Sequence, residues 1–275
     1  IALLDLASEE ERSIELTVGY RPVEVAFDEA TRRAFAITQD GVTVIDLEDD
    51  DPSVIENVAL SDDPLEDTLT RDVAITPDGA LALVRRDGEA LITVHDLEDG
   101  DRTDVVLPSP ATDMDLASDG SVAIVVLRDT GEVAILPIPD IAEEPEAFTL
   151  VAVENVVVGS AALAEESDTA FLYTNAVPSP VLTVLDWGVA EPDPRSILLR
   201  APVAAVFSAP DAAHALVLHD AFEVEGGTRY PGAVSLVPVE AQLPPKIVGL
   251  DAPAIAVAIS PAGARALVAV GAKAL

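Results

Sequence analysis

"AFAITQDGVTVIDLEDDD" (34–51) returns in altered form as "ALALVRRDGEALITVHDLEDGD" (80–101). Each copy has an apolar run, a turn at Asp-Gly, an alternating run ending in Asp-Leu, and then a clump of acid. Working outward, the apolar residue that closes the phrase before each Asp/Ser/Pro turn falls at Phe27, Ile75, Leu116, Leu163, Phe207 and Ile259, in steps of 41 to 52 residues. A second landmark, near the end of each later alternating run, falls at Asp5, Asp46, Asp96, Pro137, Asp186 and Pro238, with steps in the same range. Two landmarks keeping one period along the whole chain mark an internal repeat.

Within a repeat the sequence predicts four short strands. In the second copy these are 72–76, 80–85, 90–96 and 103–107, rich in Val, Ile, Leu and Thr and bounded by Pro-Asp-Gly and Asp-Gly turns. Helical periodicity is absent. Four strands in each repeat of this length is the pattern of a β-propeller blade, whereas a two-sheet β-sandwich, the competing all-β architecture, does not usually repeat one phrase six times. Five units read as complete, at 23–60, 72–107, 112–153, 160–200 and 203–250. The stretch 1–18 supplies two closing strands and 254–270 two opening ones, so the expectation is a single domain of six blades closed by the termini. A ring of seven or eight blades, of which this chain is a part, is the alternative.

"FLYTNAVPSPVLTVLDW" (171–187) resembles the YVTN-type repeat, with Tyr173, Thr174 and Asn175 matching and Leu172 displaced ahead of the Tyr. "ITPDGALALV" (75–84) and "ISPAGARALV" (259–268) are similar to the opening strands of that lactonase-like propeller family. The resemblance implies the fold, and either a lactonase-like enzyme or an exported binding protein at a cell surface or in the periplasm. Lactonase-like members use clustered His, Glu and Arg in the channel. Here the opening strands are nearly all aliphatic, with Arg21, Glu24, Arg71, Asp72, Asp113 and Asp115 as the charged residues at or near their starts. The expected function is therefore a non-enzymatic binding scaffold, with a lactonase-like hydrolase as the alternative.

Composition narrows the partners. The 275 residues include 50 acids and 15 bases, a net charge of −35, with 37 of the acids in the first 150 residues. Such a field repels nucleic acid and anionic membrane, since binding either needs Lys and Arg to replace counterions. No apolar run reaches the roughly 18 residues that span a bilayer, so no membrane insertion is expected. There is no cysteine, hence neither disulfide nor thiolate metal site. A protein partner is the expectation.

Candidate residues follow from position in the repeat. Asp46, Asp96 and Asp186 end strands and read as turn formers that bond nearby backbone amides. The loops between third and fourth strands carry acid at 7–11, 48–51, 98–101 and 140–146, and should share one face as an acidic arc. Asp49, Asp50, Asp51, Asp99 and Asp101 are the candidate metal ligands there. None has EF-hand spacing, so no cofactor is expected, with Ca2+ the one ion considered. Two long loops stand out as binding candidates: 61–71, with Asp62, Asp63, Glu66, Asp67 and Arg71, and "DAFEVEGGTRYPG" (220–232), with Phe222, Arg229 and Tyr230. His214 and His219, five residues apart on one strand, should point to opposite faces. His219 with Asp220 and Arg229 is the catalytic candidate, against the plainer reading of a satisfied histidine.

Overall fold

The structure is a computed structural model and describes residues 1–5, 12–28, 31–48, 51–60, 71–223, 227, 229–239 and 243–271. Among them there is no α-helix, and one turn of 3-10 helix at Asp140–Ala142 interrupts an otherwise all-β chain. The strands β1 (Ala2–Asp5) and β2 (Arg12–Glu15) form a two-stranded sheet. Five four-stranded antiparallel sheets follow, each in simple chain order. The first is β3 (Glu24–Asp28), β4 (Arg33–Ile37), β5 (Gly41–Asp46) and β6 (Ser53–Ala59). The second is β7 (Arg71–Ile75), β8 (Leu81–Arg86), β9 (Leu91–Asp96) and β10 (Arg102–Val106). The third is β11 (Asp113–Leu116), β12 (Val122–Leu127), β13 (Glu132–Pro137) and β14 (Thr149–Ala152). The fourth is β15 (Ser160–Leu163), β16 (Thr169–Tyr173), β17 (Val181–Asp186) and β18 (Arg195–Leu198). The fifth begins with β19 (Val203–Ser208) and β20 (His214–His219), and then a small hairpin of β21 (Phe222–Glu223) and β22 (Arg229–Tyr230) is inserted. It resumes with β23 (Gly232–Pro238) and β24 (Lys246–Leu250). A last two-stranded sheet joins β25 (Ala254–Ile259) and β26 (Ala266–Val270). The strand limits read from sequence in the second repeat lie within one residue of those observed.

Turn chemistry sets these registers. In "TPDGA" the Gly79 N–H donates to Thr76 O at 2.7 Å, and Asp78 Oδ1 accepts from the Thr76 hydroxyl at 2.6 Å and from Ala80 N–H at 3.1 Å. Gly79 takes φ +70°, a conformation open to glycine at little cost. Its missing side chain has a second use. A Cβ there would come within 2.3 Å of the Phe35 ring, so the turn of the second sheet seats an aromatic of the first.

The chain divides into two compact units. Unit one holds Ile1–Leu107 and Pro139–Glu146; unit two holds Pro108–Ile138 and Ala147–Leu275. In unit one, Phe35, Ile37, Val42 and Val44 of the first sheet pack on Val73, Ala82 and Val84 of the second. The short segment 139–146 packs on β9 and β10, with Ile141 fully buried and the Thr103 hydroxyl donating to Ala142 O at 2.8 Å. In unit two one apolar cluster lies between the third and fourth sheets and another between the fourth and fifth.

A polar rung recurs inside this apolar packing. The third residues of β5, β9 and β17 are Thr43, Thr93 and Thr183, all buried. Each bonds the residue paired with it on the fourth strand of its sheet: Asn57 at 2.7 Å, Asp104 at 3.0 Å and Ser196 at 3.1 Å. A buried hydroxyl left unbonded would cost about 1–3 kcal/mol, so the fourth-strand partner is what permits the threonine. In the fifth sheet Ser235 faces Ile247, which offers no such group, and the serine bonds His219 on the other neighbouring strand, β20, instead.

Candidate functional site

The strand-end aspartates are turn formers. Asp46 Oδ1 accepts from Glu48 N–H at 2.8 Å, Asp96 Oδ1 from Glu98 and Asp99 N–H at 2.8 and 2.9 Å, and Asp186 Oδ1 from Gly188 N–H at 3.0 Å. Of the acidic loops, residues 7–11 and Asp49 and Asp50 lie outside the described residues. Asp51, Asp99 and Asp101 are exposed. Unit one brings 139–146, with Glu143, Glu144 and Glu146, against the strands that flank the 98–101 turn. Among the described residues no three His, Asp or Glu side chains gather in a group that could hold a metal ion.

Of the long-loop candidates, Asp62, Asp63, Glu66 and Asp67 lie outside the described residues. Arg71 opens β7 and stands opposite Arg86 in register. Next to it Asp72 faces Arg85, with Arg85 Nε 3.7 Å from the Asp72 carboxylate, and Arg86 Nη2 donates to Leu60 O at 2.7 Å. The 220–232 loop is the inserted hairpin, pairing Phe222 with Tyr230 and Glu223 with Arg229. Tyr230 does not stand out into solvent. Its ring lies where a Cβ on Gly249 would be, 2.4 Å from that position, so a glycine of β24 is covered by an aromatic of the insertion. Arg229 is exposed, a cation on an acidic chain.

The histidines separate as their spacing requires. His214 is exposed and His219 is buried, at 5% exposure. His219 Nδ1 donates to Pro202 O at 2.8 Å, which fixes the tautomer, and Nε2 accepts from the Ser235 hydroxyl at 2.7 Å. This is the tautomer a general base would need, but Ser235 is 1% exposed and offers no approach to a substrate. Burial lowers the His219 pKa, opposed by its carbonyl partners at Pro202 and Ala201 and by Asp220. In unit two, Asp113 of β11 accepts from Ala161 N–H of β15 at 2.8 Å and ties the third sheet to the fourth. Tyr173 sits beside it. Burial first, then the Asp113 and Asp115 carboxylates, push its phenol above the ordinary value.

Missed by sequence reasoning is a cavity in unit one between 17–19, the β4–β5 turn and the end of β6. Its lining residues Gly19, Thr43 and Asn57 are spread over three segments with no common motif; the Thr43 hydroxyl brings them together, accepting from Gly19 N–H at 3.1 Å and donating to Asn57 Oδ1 at 2.7 Å.

No protein-family model and no curated protein matches the chain. Solved structures do. Kuenenia stuttgartiensis hydrazine synthase matches 97% of this chain and 77% of its own, with TM-score 0.61 and 15% identity. Kluyveromyces lactis Hsv2p matches 85% of this chain and 67% of its own, with TM-score 0.56 and 12% identity. Both are β-propeller proteins, and at these identities the likeness carries the fold alone. The chain has a propeller-like all-β fold.

Proposed function

We propose that this chain is a non-enzymatic binding scaffold that recognises a protein partner through its loop faces. The observation that carries this reading is His219, whose two ring nitrogens are both engaged inside the fifth sheet. A lactonase-like hydrolase built on His219, Asp220 and Arg229 would need that imidazole within reach of a substrate. With 50 acids against 15 bases, the partner that fits the field is basic. Turnover of a panel of lactones and esters, by the wild type and by His219→Ala, tests the reading. Neither should turn over; wild-type activity lost in the variant would overturn it.

Within this reading the chain is a single YVTN-type propeller of six blades, the sixth made by β1–β2 and β25–β26, with a ring of seven or eight as the alternative. All six residues of β25 and all five of β26 are Ala, Val, Ile or Leu. Strands of that composition are normally covered on both faces, yet Ile255 and Leu267 are 71% and 72% exposed. Because the chain has no cysteine, spin labels at Ala2→Cys and Ala266→Cys measure the closure directly. A separation beyond a few strand spacings of about 4.8 Å would exclude six blades.

The setting that suits an acidic, cysteine-free member of such a family is outside the cytoplasm, at a cell surface or in the periplasm; cell fractionation decides this. No cofactor enters, and Ca2+ is the one ion for which the acidic loops offer ligands. Thermal midpoints in NaCl and CaCl2 at matched ionic strength separate the cases. Equal shifts mean screening alone, and a larger shift in CaCl2 means a cation site.

A further inference from the structure

Asp-Gly is a sequence at which a chain can rewrite its own backbone, because a glycine nitrogen is unhindered enough to close on the aspartyl side chain before it. Five such pairs occur, at 40–41, 78–79, 87–88, 99–100 and 119–120, each where one strand turns into the next. The fold treats them differently.

Four of these glycine nitrogens are held. Gly79 and Gly120 N–H donate to Thr76 O and Ala117 O at 2.7 and 2.8 Å, Gly100 N–H to Asp96 O at 3.1 Å, and Gly41 N–H to the Thr38 hydroxyl at 3.2 Å. Three of the same sites also hold the carboxylate. Asp40 Oδ1 accepts from Tyr20 N–H and the Thr38 hydroxyl, and Asp78 Oδ1 from the Thr76 hydroxyl and Ala80 N–H. Asp119 Oδ1 accepts from the N–H and hydroxyl of Ser121. Closing a ring at any of these pairs means breaking such bonds first.

Asp87–Gly88 differs. Glu89 N–H donates to Arg86 O at 3.2 Å, which puts Asp87 and Gly88 at the two corners of the β8–β9 turn. Gly88 takes φ +81° there, and no atom lies within 4 Å of where its Cβ would be. Among the described residues its N–H meets no acceptor, and both residues are exposed. The attacking nitrogen is therefore already free, and the long turn bond is what must give. Arg85 Nη1 also donates to Asp87 Oδ1 at 2.6 Å. A donor on that oxygen draws charge from Cγ and stabilises the oxyanion formed as the nitrogen adds.

We propose that Asp87–Gly88 is a self-modification site, at which the fold lets the chain isomerise to isoaspartate ahead of the other four pairs, with water as the co-reactant. The Gly88 nitrogen bonds to Cγ of the protonated carboxyl, and its proton leaves with the Oδ2 hydroxyl as water, closing a succinimide. A second water adds its hydroxyl to the Asp87 main-chain carbonyl carbon and returns a proton to the nitrogen as the bond between those two atoms breaks. The chain then runs through Cγ, one carbon longer, and the carboxylate that faced Arg85 has become a peptide carbonyl. The site stands whether or not the loop faces bind a protein.

The test ages the wild-type protein for weeks near neutral pH and at body temperature, digests it, and locates isoaspartate residue by residue from peptide fragmentation. Isoaspartate should accumulate at 87 severalfold faster than at 99, where one bond holds the nitrogen, and faster again than at 40, 78 and 119. In urea the five rates should draw together, since the fold is what separates them. Asp87→Asn, at an exposed position, should keep the fold by circular dichroism and form isoaspartate at 87 faster still, because a neutral amide needs no prior protonation before the nitrogen adds. No isoaspartate at 87, or as much at another pair, would overturn the site. So would a lead for 87 that survives in urea, or an Asp87→Asn protein no faster than wild type.

Discussion

His95 in the second sheet and His219 in the fifth are equally buried, each 5% exposed, and differ in what meets their rings. At His219 a carbonyl takes the Nδ1 proton and a serine hydroxyl serves Nε2. At His95, Nε2 finds no hydrogen-bond partner among the described residues, and Arg102 stands directly opposite on β10. Burial pushes its pKa down to about 4, helped by Arg102 and Arg86 and opposed by Asp104. At His219 the carbonyls and Asp220 pull against burial; at His95 two cations push with it. Burial alone therefore says little about a histidine. The charge and partner around it decide whether it holds the sheet together or strains it.

The largest expected effect tests the satisfied member. His219→Ala removes a packed ring and strands both Pro202 O and the Ser235 hydroxyl, and should cost about 3–5 kcal/mol in denaturant unfolding. A loss below about 1 kcal/mol would mean the two bonds contribute nothing.

The unsatisfied member should show itself in pH. The folded pKa of His95, about 4, lies below the unfolded value of 6.5, so between them the unfolded chain binds more protons. Its contribution is neutral above pH 6.5, and stability falls as pH drops from 6.5 toward 4, by at most about 3 kcal/mol. His95→Leu should flatten that part of the stability profile. An unchanged profile would mean that the ring takes up its proton as readily in the fold as in the unfolded chain.

Ser235→Ala converts the first histidine toward the second by taking the partner from Nε2. It should cost about 1–2 kcal/mol, and the double variant with His219→Ala should lose less than the two singles together. Strict additivity in the cycle would break the comparison. The smallest effect is Thr93→Val, under about 1 kcal/mol, because Asp104 keeps Arg102 at 3.1 Å when the hydroxyl is gone. A larger loss would show that Asp104 depends on the threonine.

The strands and turns were legible because they follow local rules. Val and Ile alternate, Asp-Gly makes a turn, and Asp46, Asp96 and Asp186 hold the amides that follow them. The hydroxyl rung was legible in principle, as "VTV", "ITV", "LTV" and "VSL" at one place in the repeat, but apolar periodicity hides a polar residue that pairs across a sheet. Tyr230 shows the other limit. An aromatic in a long Gly- and Pro-flanked loop reads as a recognition residue, and only the distant Gly249 reveals that it covers its own sheet. The stretch 140–146 read as one more acidic loop of the arc, although a lone Ile141 among the acids is the residue that anchors it. For the cavity, three separated segments each contribute ordinary residues, and no single one carries a signal.

That anchored segment bears on how the chain is made. Unit one is discontinuous, since 139–146 is synthesised after the 108–138 stretch that belongs to unit two. A chain emerging from the ribosome folds its early units first, as far as their parts exist. When residue 107 has cleared the exit tunnel, β9 and β10 still lack the side chain of Ile141 and the carbonyl that receives the Thr103 hydroxyl. Nascent chains arrested shortly after residue 107 should be open to protease at this sheet, and those arrested well beyond 146 protected. The order of synthesis thus keeps the more acidic half waiting on its neighbour's first strands.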